Sequence, residues 1–333
     1  GLIMATYKEI KGTQIEAVSS DPSNPVEGQV WYNTTSNVLK GQAVTATGSW
    51  ATGNNTNKAR SALPQATGTQ TACIIYGGYG EPPPNNSYTG TESYNGTNWT
   101  EVNNLQNGRN SNAGCGTATA AITAGGDPFP SVGGKTETWN GTNWTEVNTL
   151  NTPNKNQFMS GGSPAAVQYG GGPPVRDSTE LWNGTNWTEV NDQNTARQTI
   201  AGAGISTAAL AFGGNNGSND VANTESWNGT NWTEVNDLNT AREKIAGQGA
   251  TYDDCMAAGG VLSPNTAQAK TEIWNGTNWT EDGDLNTARS HSAGGGTTSA
   301  AVIANGSTDP GLSQATEEWT GAGDPQTRTF TDS

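Results

Sequence analysis

An all-β fold assembled from repeated four-stranded units is the expectation, and three observations carry it. The hexapeptide Asn-Gly-Thr-Asn-Trp-Thr occurs five times, starting at Asn95, Asn140, Asn183, Asn228 and Asn275. Each copy follows Thr-Glu-x-(Trp/Tyr), and the glutamates of that tetrapeptide recur a sixth time without the hexapeptide. From Glu92 through Glu137, Glu180, Glu225 and Glu272 to Glu317 they step by 45, 43, 45, 47 and 45 residues. Between copies run two short segments of small and apolar residues, such as 199–204 and 208–212. A period of roughly 40–50 residues with about four strands is the signature of a β-propeller blade.

In chain order, residues 1–28 differ from the rest and read as a short extended arm ending in the turn-rich run 19–25. The arm is too poor in apolar residues to fold alone. It is either a tail or an anchor on a partner, with Tyr7, Ile10, Ile15 and Val18 as its apolar contacts. Val30-Trp-Tyr-Asn33 starts an imperfect copy of the hairpin, with a longer connection to Gly48-Ser-Trp50. Residues 50–60 align with 232–242 and read as a fourth strand plus a crossing into the next unit.

Each later unit then repeats one plan. A strand of small residues suits the innermost position, where blades converge on the axis. A more apolar second strand ends in paired glycines (Gly77-Gly78, Gly125-Gly126, Gly171-Gly172, Gly213-Gly214, Gly259-Gly260), which suit a tight exit with positive φ. Strands three and four form a hairpin around Asn-Gly, the preferred pair of a type I′ turn. The Trp just before the tip and the Trp just after it, Trp227 and Trp232 for example, are placed to pack together. Six first-and-second-strand pairs are countable, and the last unit lacks its own fourth strand. Six blades closed by the N-terminal strand at Trp50 are therefore expected. A strand at 327–331 is the alternative, either as the closing strand or, with the 30–50 hairpin, as a minimal seventh blade. The expected division is an arm at 1–28, a propeller at 29–321 and a C-terminal strand or tail at 322–333.

Net charge is −15, from 15 Lys and Arg against 30 Asp and Glu. Such a surface excludes nucleic acid and anionic membranes as partners, since both require clustered cations. No apolar run is long enough to span a membrane. Residues 1–14 contain no signal-peptide core, so none is expected there. Three cysteines make no disulfide framework. Cys73 and Cys255 fall in second strands and Cys115 in a first strand, as small buried hydrophobes.

Apolar strand, Gly-Gly, variable loop, aromatic, then Trp resembles the kelch repeat over roughly residues 50–320. The Thr-Glu-x-Trp-Asn-Gly-Thr-Asn-Trp-Thr-Glu form, and the segment 25–40, look like tail-fibre and virion proteins of marine bacteriophages. The resemblance implies a non-enzymatic virion protein, on tail or surface appendage, whose propeller attaches to a host surface glycan or protein. It also implies an arm held by other virion proteins and a homo-oligomer on the particle. A purely structural capsid or tail role, and a cellular kelch-type protein- or glycan-binding module, are the alternatives.

Some kelch propellers carry a copper site, but copper or zinc needs converging His or Cys side chains. The chain has one histidine, His291, and its cysteines are scattered, so no cofactor, metal or catalytic triad is expected. The recurrent Glu, with Arg60, Arg109, Arg197, Arg242 and Arg289, reads as one structural contact repeated per unit. Asn154 breaks that pairing in the third unit. The Asn-x-Thr triplets of the hairpins are formal glycosylation acceptors, but turn formation accounts for them. The loops between strands two and three vary from unit to unit, as recognition loops on a rigid scaffold do. Tyr79, Tyr88 and Phe129 on them are the candidate recognition residues.

Overall fold

The computed structural model describes residues 15–23, 29–44, 47–62, 64–80, 87–308, 311–323 and 325–330, all in strands, turns or loops. They fall into two compact units, one of residues 49–320 and one of residues 1–48 with 321–333.

In the larger unit the described residues form six four-stranded antiparallel sheets. Sheet I is Thr67–Thr69, Ala72–Tyr76, Thr91–Tyr94 and Trp99–Val102. Sheet II is Ala113–Thr117, Ala120–Ala124, Thr136–Trp139 and Trp144–Val147. Sheet III is Phe158–Gly162, Ala165–Tyr169, Thr179–Trp182 and Trp187–Val190. Sheet IV is Ala201–Ile205, Ala208–Phe212, Thr224–Trp227 and Trp232–Val235. Sheet V is Ala246–Thr251, Asp254–Ala258, Thr271–Trp274 and Trp279–Glu281. Sheet VI is Ala293–Gly296, Ala300–Ala304, Thr316–Thr320 and, from the other end of the chain, Ser49–Gly53. The architecture is all-β and β-propeller-like.

The burial pattern follows strand position. Second strands are covered on both faces, and so read as unbroken apolar runs such as Cys73-Ile-Ile-Tyr76. Fourth strands bury only their leading Trp and leave Thr-Glu exposed. The apolar side chains gather in layers between neighbouring sheets. Phe212 of sheet IV packs with Trp274 and Trp279 of sheet V, and Ala304 of sheet VI with Tyr94 and Trp99 of sheet I.

One bond repeats at each of these layers. The fourth-strand indole Nε1 donates to the hydroxyl of the threonine that opens the preceding sheet's third strand. Trp144, Trp187, Trp232 and Trp279 reach Thr91, Thr136, Thr179 and Thr224 at 3.0–3.1 Å. Trp99 reaches Thr316 of sheet VI at 3.0 Å, and Trp50 reaches Thr271 of sheet V at 3.1 Å. Ser49–Gly53 therefore occupies the fourth-strand place in register, with Trp50 opposite Trp319.

Three expectations change. The hairpin between strands three and four is not a two-residue type I′ turn. Trp227 pairs with Trp232 across a four-residue loop, and of Asn228 and Gly229 only the glycine has positive φ, 90°. The carboxamide takes over the turn instead: Asn228 Oδ1 accepts the N–H groups of Thr230 and Asn231. The expected indole pair survives, with Trp227 and Trp232 centroids 5.3 Å apart. In sheet III the positive-φ pair is Gly170-Gly171, one residue earlier than expected, because the strand ends at Tyr169. Sheet VI has the same exit in Asn305-Gly306, since asparagine tolerates that region.

Val30–Asn33 does not lead into Trp50. Asn33 Oδ1 caps a turn by accepting from Thr35 and Ser36 N–H, and the chain folds back as Val38–Val44. These two strands belong to the smaller unit. Glu16–Val18 joins them in parallel on one side, and Pro325–Phe330 antiparallel on the other. The strand expected near 327–331 is thus present, and it pairs with Val38–Val44 of the 30–50 segment, the partner the alternative reading gave it. Asp21 ties this sheet together by accepting from Trp31 Nε1 at 3.0 Å, Asn33 Nδ2 at 2.7 Å and Lys40 Nζ at 2.6 Å. Of the arm residues singled out in the sequence, Ile15 is exposed and Val18 half-buried. Tyr7 and Ile10 lie outside the described residues.

Candidate functional site

The crossings from one sheet to the next are fixed by a buried ion pair. Arg60, Arg109, Arg197 and Arg289 meet Glu92, Glu137, Glu225 and Glu317 at 2.5–2.9 Å, and Arg242 meets Glu272 likewise. In sheet I the other guanidinium nitrogen donates to the carbonyls of Gly77 and Gly90, which bracket the loop between strands two and three. The second carboxylate oxygen of each glutamate accepts a backbone N–H of the crossing, from Asn57 for Glu92 and from Asn194 for Glu225. One Arg–Glu unit thus pins both segments that build the same face of a sheet. The repeated contact is structural, as the sequence implied. Sheet III substitutes Asn154, whose Nδ2 donates to Gly170 O at 2.7 Å. Glu180 keeps its backbone donors from Asn151 and Thr152 but meets no cation among the described residues, and burial raises its pKa.

Two residues beyond each Arg or Asn, the backbone turns left-handed. Ala62, Ser111, Asn156, Thr199, Lys244 and His291 all have φ between 50° and 58°. From Ser111 onward, each N–H donates to the carbonyl of its counterpart one sheet earlier, at 2.7–3.1 Å. A chain of bonds therefore runs from sheet to sheet along one end of the first strands. It borders a cavity of ≈ 70 Å³ lined by residues at or just before the first strand of each of the six sheets. The backbone repeats here while the side chains do not. His291 comes just before the first strand of sheet VI, Ala293–Gly296. Loss of hydration, and then the Lys244 ammonium, lower its pKa to about 4, so the imidazole is neutral at neutral pH.

On the same face, the loops of sheets V and VI each carry an added hairpin. These are Val261–Leu262 with Thr266–Ala267, and Ser307–Thr308 with Gly311–Leu312. Beside them lies an open cleft of ≈ 860 Å³ whose lining includes Asn57, Lys58, Asn265, His291, Ser307 and Gln314. The lining combines amides and hydroxyls with the aliphatic Ala59, Val261, Ala267 and Leu312, one ammonium and one neutral imidazole.

The aromatic candidates are less free than the sequence suggested, and all three are half-buried. Tyr88 lies under Lys58 Nζ, 4.6 Å from its ring centroid, and against the Arg60 guanidinium at 5.1 Å. Phe129 has Lys155 Nζ at 6.0 Å. Tyr79 is held by a backbone bridge to Ser61. The loops bearing them do meet, since Ser87 Oγ donates to Asp127 O. Tyr88 also reaches the cleft indirectly, because Lys58 lines it.

A second cavity, of ≈ 430 Å³, opens at the turns between strands one and two, where Ile205 is 51% exposed. The thiols of Cys73, Cys115 and Cys255 are free and buried, and burial pushes Cys73 up to about 12. Among the described residues, no group of three or more His, Cys, Asp or Glu could hold a metal ion. No helix among them is long and apolar enough to cross a membrane.

Sequence reasoning missed the left-handed residues and the cleft. The residues two beyond each crossing Arg or Asn differ in kind, and no residue-type signal marks them. The Trp–Thr bonds were legible in principle, because every third strand opens with Thr-Glu. No protein-family model matches the chain, and no curated protein matches it either.

Proposed function

We propose that residues 49–320 form a six-bladed, kelch-like propeller closed by the N-terminal strand, and that it serves as a recognition module without catalytic activity. The pairing of Ser49–Gly53 with Thr316–Thr320 supports the closure, as do the six successive Trp–Thr bonds. The reading extends to a bacteriophage virion protein, held by its N-terminal arm to other virion proteins as a homo-oligomer. Its loop face attaches to a host surface component. The phage assignment rests on the resemblance of the repeat and of residues 25–40.

The observation that carries the recognition role is the cleft beside the hairpins of sheets V and VI. It is the place where a repeated scaffold becomes individual, which is how recognition sites arise on rigid folds. The amides and hydroxyls of its lining suit a neutral polyhydroxylated ligand, hence a surface glycan. The test is binding of the labelled full-length chain to host bacteria, with soluble oligosaccharides as competitors. Saturable binding that the sugars displace is expected. His291→Ala should weaken it about tenfold, the size of one hydrogen bond or two. The variant should leave thermal unfolding unchanged, because Ala62 already occupies the equivalent left-handed position. No binding by a chain that is nonetheless a component of purified particles would leave a structural role in place of attachment.

A further inference from the structure

We infer that the five Asn-Gly hairpin tips are sites of spontaneous backbone modification, primed to convert their asparagines to aspartate and isoaspartate. At each tip the asparagine is exposed, and its Oδ1 accepts two backbone N–H bonds, from the residues two and three positions on. For Asn95 the donors are Thr97 at 3.0 Å and Asn98 at 2.8 Å. Asn140, Asn183, Asn228 and Asn275 repeat the arrangement at 2.8–3.0 Å.

These bonds fold the carboxamide back over the Asn-Gly peptide, and they polarise its carbonyl. The following glycine nitrogen can attack Cγ without a side chain in the way. A C–N bond forms, and negative charge gathers on Oδ1, where the two N–H donors already point, as in an oxyanion hole. The bond from Cγ to the side-chain nitrogen then breaks, and ammonia leaves with the proton lost by the glycine nitrogen. Water opens the resulting succinimide at either carbonyl. The net change is amide plus water to carboxylate plus ammonia, with no oxidant or reductant.

The chain carries its own controls, because three more Asn-Gly pairs sit in other settings. Asn305 is buried, its Nδ2 donates to Thr56, Lys58 and Ser313, and its Oδ1 has no partner. Its glycine nitrogen is committed as well, donating to Arg60 O at 2.8 Å. Asn216 has the two donors on Oδ1, but the Gly217 N–H is engaged by Asn215 Oδ1 at 2.8 Å. Among the described residues, Asn107 Oδ1 accepts only from the Lys135 ammonium. At the tips, by contrast, the glycine N–H makes no bond with a described residue.

The experiment is to incubate the folded full-length chain at mildly alkaline pH and follow each asparagine by peptide mapping and mass spectrometry. The five tips should convert together, at least about tenfold faster than Asn305 and faster than Asn216. Thr230→Pro removes one of the two donors at a single tip. It should slow Asn228 by about tenfold, below the ~10²–10³ lost with an enzyme's oxyanion donor, while the other four tips serve as internal reference. Conversion of Asn216 or Asn305 as fast as the tips would overturn the inference. So would tips that stay intact while the same peptides convert in the urea-unfolded chain.

Discussion

At Asn154 the repeat loses its cation and Glu180 stays behind, buried and accepting N–H bonds but, among the described residues, unpaired by charge. Its folded-state pKa is raised, so the folded chain binds that proton more tightly than the unfolded chain. Stability from this group is fully present below the ordinary carboxylate range and is lost as pH rises through the raised value. Asn154→Arg should therefore stabilise the protein at pH 7, by on the order of 1 kcal/mol, because the guanidinium's own desolvation offsets much of the attraction. At pH 4 the gain should nearly vanish; urea unfolding at the two pH values reads the difference. The converse change, Arg197→Ala, strands Glu225 with no cation in a dry site and should cost about 3–5 kcal/mol. An equal effect of Asn154→Arg at both pH values would mean that Glu180 is not the group concerned.

The strand Ser49–Gly53 is the element on which the larger unit's proposed closure depends. Its Trp50 is 7% exposed, packs at a tilt against Trp319 with centroids 5.2 Å apart and donates to Thr271 of sheet V. The internal fourth strands make the same three contacts, so Trp50→Ala and Trp232→Ala should cost alike, about 3–5 kcal/mol each. Trp50→Phe keeps most of the ring but strands the Thr271 hydroxyl, at about 1–3 kcal/mol. Chemical denaturation of the three variants checks the series. A Trp50→Ala cost near zero beside a full cost for Trp232→Ala would show that the N-terminal strand is an accessory. The pairing spans most of the chain, from residue 49 to residue 320, so within the larger unit it is also the contact with the largest loop to close in folding.

At the scale of the whole molecule, acid should act on the smaller unit through one carboxylate. Asp21 in the smaller unit is held near a pKa of about 2, first by the hydrogen bond from Lys40, then by those from Trp31 and Asn33. Its folded value lies below its unfolded one. The stability it confers is therefore present above about pH 4 and lost as pH falls toward 2. The share of the tryptophan fluorescence that Trp31→Phe removes should report loosening of that sheet in this window. Asp21→Asn should show the loosened signal already at pH 7 and no further change on acidification. A wild-type signal that is flat from pH 5 to pH 2 would rule out Asp21 as the hub.

The period, the small first strands, the paired Trp and the recurrent Arg and Glu were all written in the sequence, because a repeated fold must repeat the residues that stabilise it. Asn154 and the missing last hairpin were legible as departures from that pattern. Other features were decided only by tertiary structure. The turn at Asn228 was misread because the local preference of Asn-Gly for type I′ competes with an asparagine carboxamide that can cap a longer loop. The left-handed backbone at Ala62 through His291 arises from bonds between residues over forty apart, so no local signal encodes it. The cleft owes its shape to two hairpins too short for any periodicity to show. Sequence determines what each blade-sized unit contributes alone; contacts between units set the site, because its walls come from segments distant in the chain.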